Sequence, residues 1–159
     1  VGAFDHAIKL LNKSGMRSTL DSLVLEKKIP VLGICVGMQI LASKSDEGSQ
    51  NGLNWISGTV KAFHKNKNLS NLPLPHMGWN SVYAEQKKPL FKNLEQEAKF
   101  YFLHSYYFEC NQDCHISATS NYGQDFSCAV STANIHGVQF HPEKSHYYGV
   151  QLLKNFANL

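Results

Sequence analysis

Apolar positions along the chain switch between helical and extended spacing. Over residues 3–13, Phe4, Ala7, Ile8, Leu10 and Leu11 recur every three to four positions and Gly15 follows as a C-terminal breaker, which predicts a helix. A second helix is predicted over residues 16–28. It carries Leu20, Leu23 and Val24 on one face and ends in Lys27 and Lys28, the charge sign that suits a helix C-terminus. The unbroken apolar run at residues 29–34 has the pattern of a parallel strand covered on both faces, and it leads directly into Cys35. Residues 37–43 read as a helix and residues 45–52 as a polar loop.

Residues 58–63 alternate as a strand does. The polar, Pro-containing stretch 64–75 reads as a loop, and 85–99 as a second polar region around a short buried Leu90-Phe91 segment. Short strands are predicted at 100–105, 116–120, 126–131 and 136–140. A closing helix over 146–158 turns Val150, Leu152, Leu153 and Phe156 inward. No repeat or linker divides the chain, so residues 1–159 are expected to form one domain with one real core.

Composition narrows the class of function. With 43% hydrophobic and 17% charged residues the chain is globular rather than disordered. The net charge of +3 is dispersed, and Lys61, Lys65 and Lys67 sit among polar residues as a solvated loop, so nucleic acid is not implied. No apolar run approaches the roughly 18 residues of a membrane span, and no signal-peptide pattern opens the chain, which predicts a soluble protein. The four cysteines have no disulfide-framework spacing, and a reduced, cytoplasmic setting suits them. Cys110, Cys114 and His115 lack a second half-site with zinc-ligand spacing, so neither a metal nor another cofactor is expected.

Two motifs carry chemistry. Gly33-Ile34-Cys35-Val36-Gly37, between a buried strand and a helix, has the form of a nucleophile elbow with Cys in place of Ser. The turn holds its nucleophile in a sparsely populated backbone conformation, flanking glycines admit neighbouring backbone, and a helix N-terminus favours the thiolate. A buried structural cysteine between packing glycines would leave the same residues. The second motif is His141-Pro142-Glu143, reached by the apolar residues 137–140. Proline keeps His141 extended, and residues two apart in an extended segment face one side, so Glu143 can orient the imidazole while the ring faces a thiol. Alone, His-Pro-Glu suits a structural role; beside the elbow it suits an activated nucleophile.

Residues 32–39 (Leu-Gly-Ile-Cys-Val-Gly-Met-Gln) and 137–145 (Gly-Val-Gln-Phe-His-Pro-Glu-Lys-Ser) resemble the two signature stretches of class I glutamine amidotransferases. Residues 74–80 and 100–106 resemble, within that family, the glutaminase subunits of imidazole glycerol phosphate synthases. The resemblance covers essentially the whole chain. It implies a three-layer α/β/α domain with a largely parallel central sheet. Val1-Gly-Ala-Phe-Asp5 is similar to the end of the family's oxyanion loop, so the chain reads as a piece of a longer product lacking N-terminal strands, with apolar surface left uncovered.

Carried over by position, the resemblance makes Cys35 the nucleophile, His141 the general base and acid, and Glu143 the orienting carboxylate. Val36 would supply one oxyanion donor, and Val1 and Gly2 the other. Gln39, Glu47, Ser105 and Tyr106 would surround bound glutamine, although Ser105 and Tyr106 also suit simple packing at a strand end. The implied reaction is glutamine hydrolysis through a thioester, with ammonia passed to a synthase. Trp79, Asn80, Tyr101 and Lys144 match positions that meet a barrel-shaped cyclase, and the aromatic pair also suits core packing. Residues 104–108, Cys110 and 145–154 resemble instead a paralogous branch that supplies ammonia for amidated sugars of bacterial surface polysaccharide. A non-catalytic interaction module is a third reading, disfavoured by nucleophile, base and orienter all being in place.

Overall fold

A computed structural model describes residues 2–63, 72–84 and 87–159. Residue 1, most of the 64–75 loop and residues 85–86 lie outside the described residues. The elements in chain order are α1 (Phe4–Lys13), α2 (Arg17–Asp21), β1 (Val31–Ile34), α3 (Val36–Gln39), β2 (Lys44–Ser45), β3 (Gly58–Ala62), β4 (His76–Ser81), β5 (Tyr83–Ala84), β6 (Lys99–His104), β7 (Tyr106–Cys110), β8 (Ile116–Asn121), β9 (Asp125–Thr132), β10 (Ile135–Val138) and α4 (His146–Ala157).

The main sheet runs β1-β10-β9-β7-β3-β2, with β8 also on β9 and β5 on β8. The parallel pairing expected of the strand before Cys35 is present: β1 pairs with β10, Gly33 against Gly137 and Ile34 against Val138. The β2–β3 pair is also parallel, whereas the remaining pairs are antiparallel, so the α/β sheet is mixed. Chain connectivity explains the mixture. β8, β9 and β10 follow one another through turns too short for the crossover that parallel neighbours need. A separate antiparallel pair, β4–β6, sets His76 opposite His104 and Trp79 opposite Tyr101.

Apolar side chains form two cores, one on each face of the sheet. Phe4 and Ile8 of α1 join Met38, Leu41, Val60, Phe108, Val130 and Ile135 on one face. Leu152 of α4 joins Phe100, Phe102, Phe126, Val138 and Phe140 on the other. This is the expected layering of helix, sheet and helix.

Several sequence expectations need adjustment. The helix after α2 continues over Ser22–Glu26 as a wider π turn. The helix expected to reach residue 43 stops at Gln39, because the carbonyls of Ile40, Leu41 and Ala42 accept hydrogen bonds from residues 53–56 instead of continuing a helical ladder. β4, β5 and β7 lie where no strand was expected, and β2 overlaps only the first residue of the expected loop. In α4, Val150 is 66% exposed while Leu152 is buried. Gly149 takes the inward place, pressed against the Pro142 carbonyl where a Cβ has no room.

Candidate active site

Cys35 follows β1 and precedes α3 with φ 55° and ψ −113°, a positive-φ backbone that a non-glycine residue adopts only when the surroundings impose it. Its N–H donates to the Val138 carbonyl at 2.8 Å, extending the β1–β10 ladder into the turn. Of the flanking glycines only Gly33 is required by space, since a Cβ there would run into the backbone of Gly37. Gly37 itself faces open space.

The thiol is buried, with Sγ 3.9 Å from the Leu103 carbonyl and 3.8 Å from Gln139 Nε2. Burial pushes its pKa up, and the Glu143 charge acts the same way, while the Val36 N–H and the Gln139 amide act to lower it. The helix dipole expected to favour the thiolate is small here, because α3 has four residues. The Val36 N–H and the Gln139 amide act in that direction, without offsetting burial.

His141 is fixed from three sides. Its N–H donates to the Tyr101 carbonyl at 2.8 Å, and its carbonyl accepts the Ser145 hydroxyl at 2.6 Å and the Lys144 N–H at 3.0 Å. The backbone is extended before Pro142, as the sequence requires. Nδ1 meets Glu143 Oε1 at 2.6 Å. A carboxylate only accepts, so Nδ1 carries a hydrogen, and in the neutral ring it is Nε2 that has the lone pair. That Nε2 is buried and has no partner among the described residues. Buried ring nitrogens are ordinarily paired, so this one, three residues beyond the strand paired with β1, is free to take a proton or a ligand.

Beside the thiol lies a cavity of about 200 Å³, lined by Gly2, Cys35, Gln39, Glu47, Ser105 and Tyr106 together with Pro75, Leu103 and His104. The structure thus brings all four expected glutamine-binding residues to one space. It is smaller than the roughly 300–1,000 Å³ of drug-sized pockets, which suits a ligand the size of an amino acid. Glu47 supplies its carboxylate charge and accepts the Phe4 N–H at 2.8 Å, which ties α1 to the cavity wall. The Gln39 amide points both hydrogens inward, to the Tyr106 carbonyl at 3.3 Å and Gln139 Oε1 at 3.0 Å, so only its oxygen is left for a ligand.

Of the expected oxyanion donors, the Val36 N–H acts to lower the Cys35 pKa and Gly2 lines the cavity. Val1 lies outside the described residues. Of the expected docking residues, Trp79 packs edge-on against Tyr101 at 6.2 Å, and the Lys144 ammonium stands 5.7 Å over the Tyr101 ring. Trp79, 48% exposed, also stacks on His146 at 5.3 Å. Asn80 does not join them. Side chains alternate along β4, and Asn80 bonds His76 Nε2 at 3.2 Å and the Asn121 carbonyl at 2.8 Å on the opposite face.

Sequence reasoning assigned no role to His76, His104 or Gln139. His76 Nδ1 meets His104 Nε2 at 2.8 Å, and His104 Nδ1 meets the Tyr106 carbonyl at 2.8 Å. Desolvation depresses the His76 pKa to about 4 and the His104 pKa to about 3, so both rings are neutral. Only strand register reveals this pairing, since 28 residues separate the two rings.

A family model described as glutamine amidotransferase class-I matches residues 11–158. The chain is 56% identical over 159 residues to imidazole glycerol phosphate synthase subunit HisH of Bdellovibrio bacteriovorus, covering 100% of this chain and 78% of that one. It is 54% identical to the HisH subunit of Leptospira interrogans with the same coverage, and 45% identical over 157 residues to HisH 2 of Methanococcus maripaludis, covering 98% and 76%. Among solved structures, a glutamine amidotransferase from Thermotoga maritima shares the fold with a TM-score of 0.63 at 20% identity, over 99% of this chain and 59% of that one. Another glutamine amidotransferase structure matches with a TM-score of 0.67 at 16% identity, over 94% and 72%. The elbow, the oriented imidazole and the family match together lead to one statement: this chain belongs to the class I glutamine amidotransferases.

Proposed function

We propose that this chain is the glutaminase subunit of an imidazole glycerol phosphate synthase, working in histidine biosynthesis in the cytoplasm as a heterodimer with a cyclase subunit. Cys35 is the nucleophile, His141 the base and acid, and Glu143 the orienter. The observation that carries this reading is the buried His141 Nε2, which has no partner among the described residues and whose tautomer Glu143 sets, just beyond the strand paired with the one that delivers Cys35. The high identity to proteins named HisH supports the choice of synthase over the polysaccharide branch.

In the first step the Cys35 proton passes to His141 Nε2 and the sulfur attacks the glutamine side-chain amide carbon. The oxyanion lies toward the Val36 N–H, a preorganised donor of the kind whose loss costs roughly 10²–10³ in rate. His141 then returns the proton to the departing nitrogen, leaving ammonia and a thioester. Water, deprotonated by His141 Nε2, attacks the thioester and releases glutamate, and His141 returns that proton to the sulfur to restore the thiol. Glu47 is the carboxylate in the cavity that complements the substrate ammonium group. Ammonia entering neutral water becomes mostly ammonium and loses its nucleophilicity, which is why a synthase docked at Trp79, Tyr101 and Lys144 has a physical purpose.

Cys35→Ser should abolish glutamine hydrolysis, measured as glutamate release with the synthase partner present, while thermal unfolding stays near that of the parent chain. Retained hydrolysis in that variant removes Cys35 from its assigned role.

A further inference from the structure

Gln139 is fully buried in the strand-to-turn segment between β10 and His141, and its side chain ends at the thiol. Which end of the amide faces sulfur is decided by a chain of hydrogen bonds that begins elsewhere. The Tyr106 carbonyl can only accept, so His104 Nδ1 and Gln39 Nε2 both donate to it, at 2.8 and 3.3 Å. Gln39 Nε2 uses its second hydrogen on Gln139 Oε1 at 3.0 Å. Turning the Gln139 amide over would set two NH2 groups against each other. Its oxygen is therefore committed to Gln39, and its nitrogen alone meets Cys35 Sγ, at 3.8 Å.

We propose that Gln139 is a further residue of the reaction centre, a one-directional donor that positions the Cys35 sulfur and holds its thiolate in a buried site, with Gln39 locking the donor's direction. The role rests on the reading of Cys35 as nucleophile. A donor that cannot turn over contributes nothing as an acceptor to the neutral S–H, and it strengthens as the proton leaves for His141 Nε2 and charge gathers on sulfur. With only four residues in α3, the site needs such a donor. The other ionisable groups around this space are Glu47 from the loop after β2 and His104 and Tyr106 from β6 and β7, which line the cavity, with Glu143 from the turn after β10 acting on the thiol and His141 acting on His104. They are unchanged in the variants below.

The test is the pH dependence of Cys35 alkylation by iodoacetamide in the intact chain. It is followed by mass spectrometry of the Cys35 peptide, because exposed Cys114 also reacts. Gln139→Met keeps the length and removes the donor. The alkylation midpoint should rise by about one pH unit, which is about a tenfold slower reaction near neutrality. A Gln139→Met profile that superimposes on the parent overturns the proposal. If that variant loses its near-UV circular dichroism, Gln39→Met is read instead. It frees the Gln139 amide to rotate and should raise the midpoint by a smaller amount, and an unchanged midpoint again overturns the proposal. Alkylation reads the thiol without glutamine. A parent chain that shows the donor effect but never hydrolyses glutamine would therefore refute the glutaminase reading while leaving the donor role standing.

Discussion

At the residue scale the centre works by removing alternatives. Cys35 is held at positive φ by its N–H bond to Val138 and by Gly33, which lets the following turn close. His141 keeps one tautomer because Glu143 occupies Nδ1. The Glu143 side chain is 52% exposed, so water already screens its charge and its main effect is orientation. Glu143→Gln retains an acceptor oxygen for Nδ1–H and should lower kcat by on the order of 10- to 100-fold. That is short of the roughly 10²–10⁴ that general acid–base catalysis supplies in total. Steady-state glutaminase rates of Glu143→Gln and His141→Ala, compared side by side, check this division of roles. Equal losses contradict it.

At the element scale, the β4–β6 pair carries a pH-dependent contribution to stability. His76 and His104 face each other in register as neutral rings with pKa values depressed from 6.5 to about 4 and about 3. A third proton on the two rings would set N–H against N–H. The unfolded chain takes up protons near pH 6.5 and the folded chain does not. The contribution is therefore complete above about pH 6.5 and is lost as pH falls toward about 4. Each histidine should cost up to about 2 kcal/mol between about pH 6.5 and pH 5, and buried His136, also depressed by desolvation, adds in the same direction. Urea unfolding at about pH 7 and pH 5 measures the fall. His76→Gln should flatten it, and an unchanged slope in that variant assigns the effect elsewhere.

At the scale of the whole molecule, the turn that supplies His141 and Glu143 also supplies Lys144, which stands over Tyr101 beside exposed Trp79. A partner seated there would touch the backbone that carries the proposed base. Lys144→Glu should weaken association with the synthase by reversing a charge at the contact, while leaving the triad chemically complete. Glutamine hydrolysis should then return at higher partner concentration. Titrating glutaminase rate against added synthase for both proteins checks this. A mutant that needs no more partner than the parent makes Lys144 a solvated lysine and nothing more.

What the sequence by itself determined was local. The apolar run into Gly33-Ile-Cys requires a buried strand and a sharp turn, and His-Pro-Glu requires an extended imidazole with a carboxylate two residues on. Both arise within a few residues, where sterics and side-chain alternation act directly. Resemblance supplied Gln39, Glu47, Ser105 and Tyr106, and the cavity gathers them. Tertiary structure decided the rest. The helix after Cys35 ends at Gln39 because residues 53–56 take its carbonyls, a contact that nothing in residues 37–43 encodes. Trp79 and Asn80 part company because β4 is a strand. His76, His104 and Gln139 acquire their roles only when strand register sets donors against acceptors across 28 to 104 residues of chain. Hydrogen-bond direction is a property of the whole network, and no single stretch of sequence contains it.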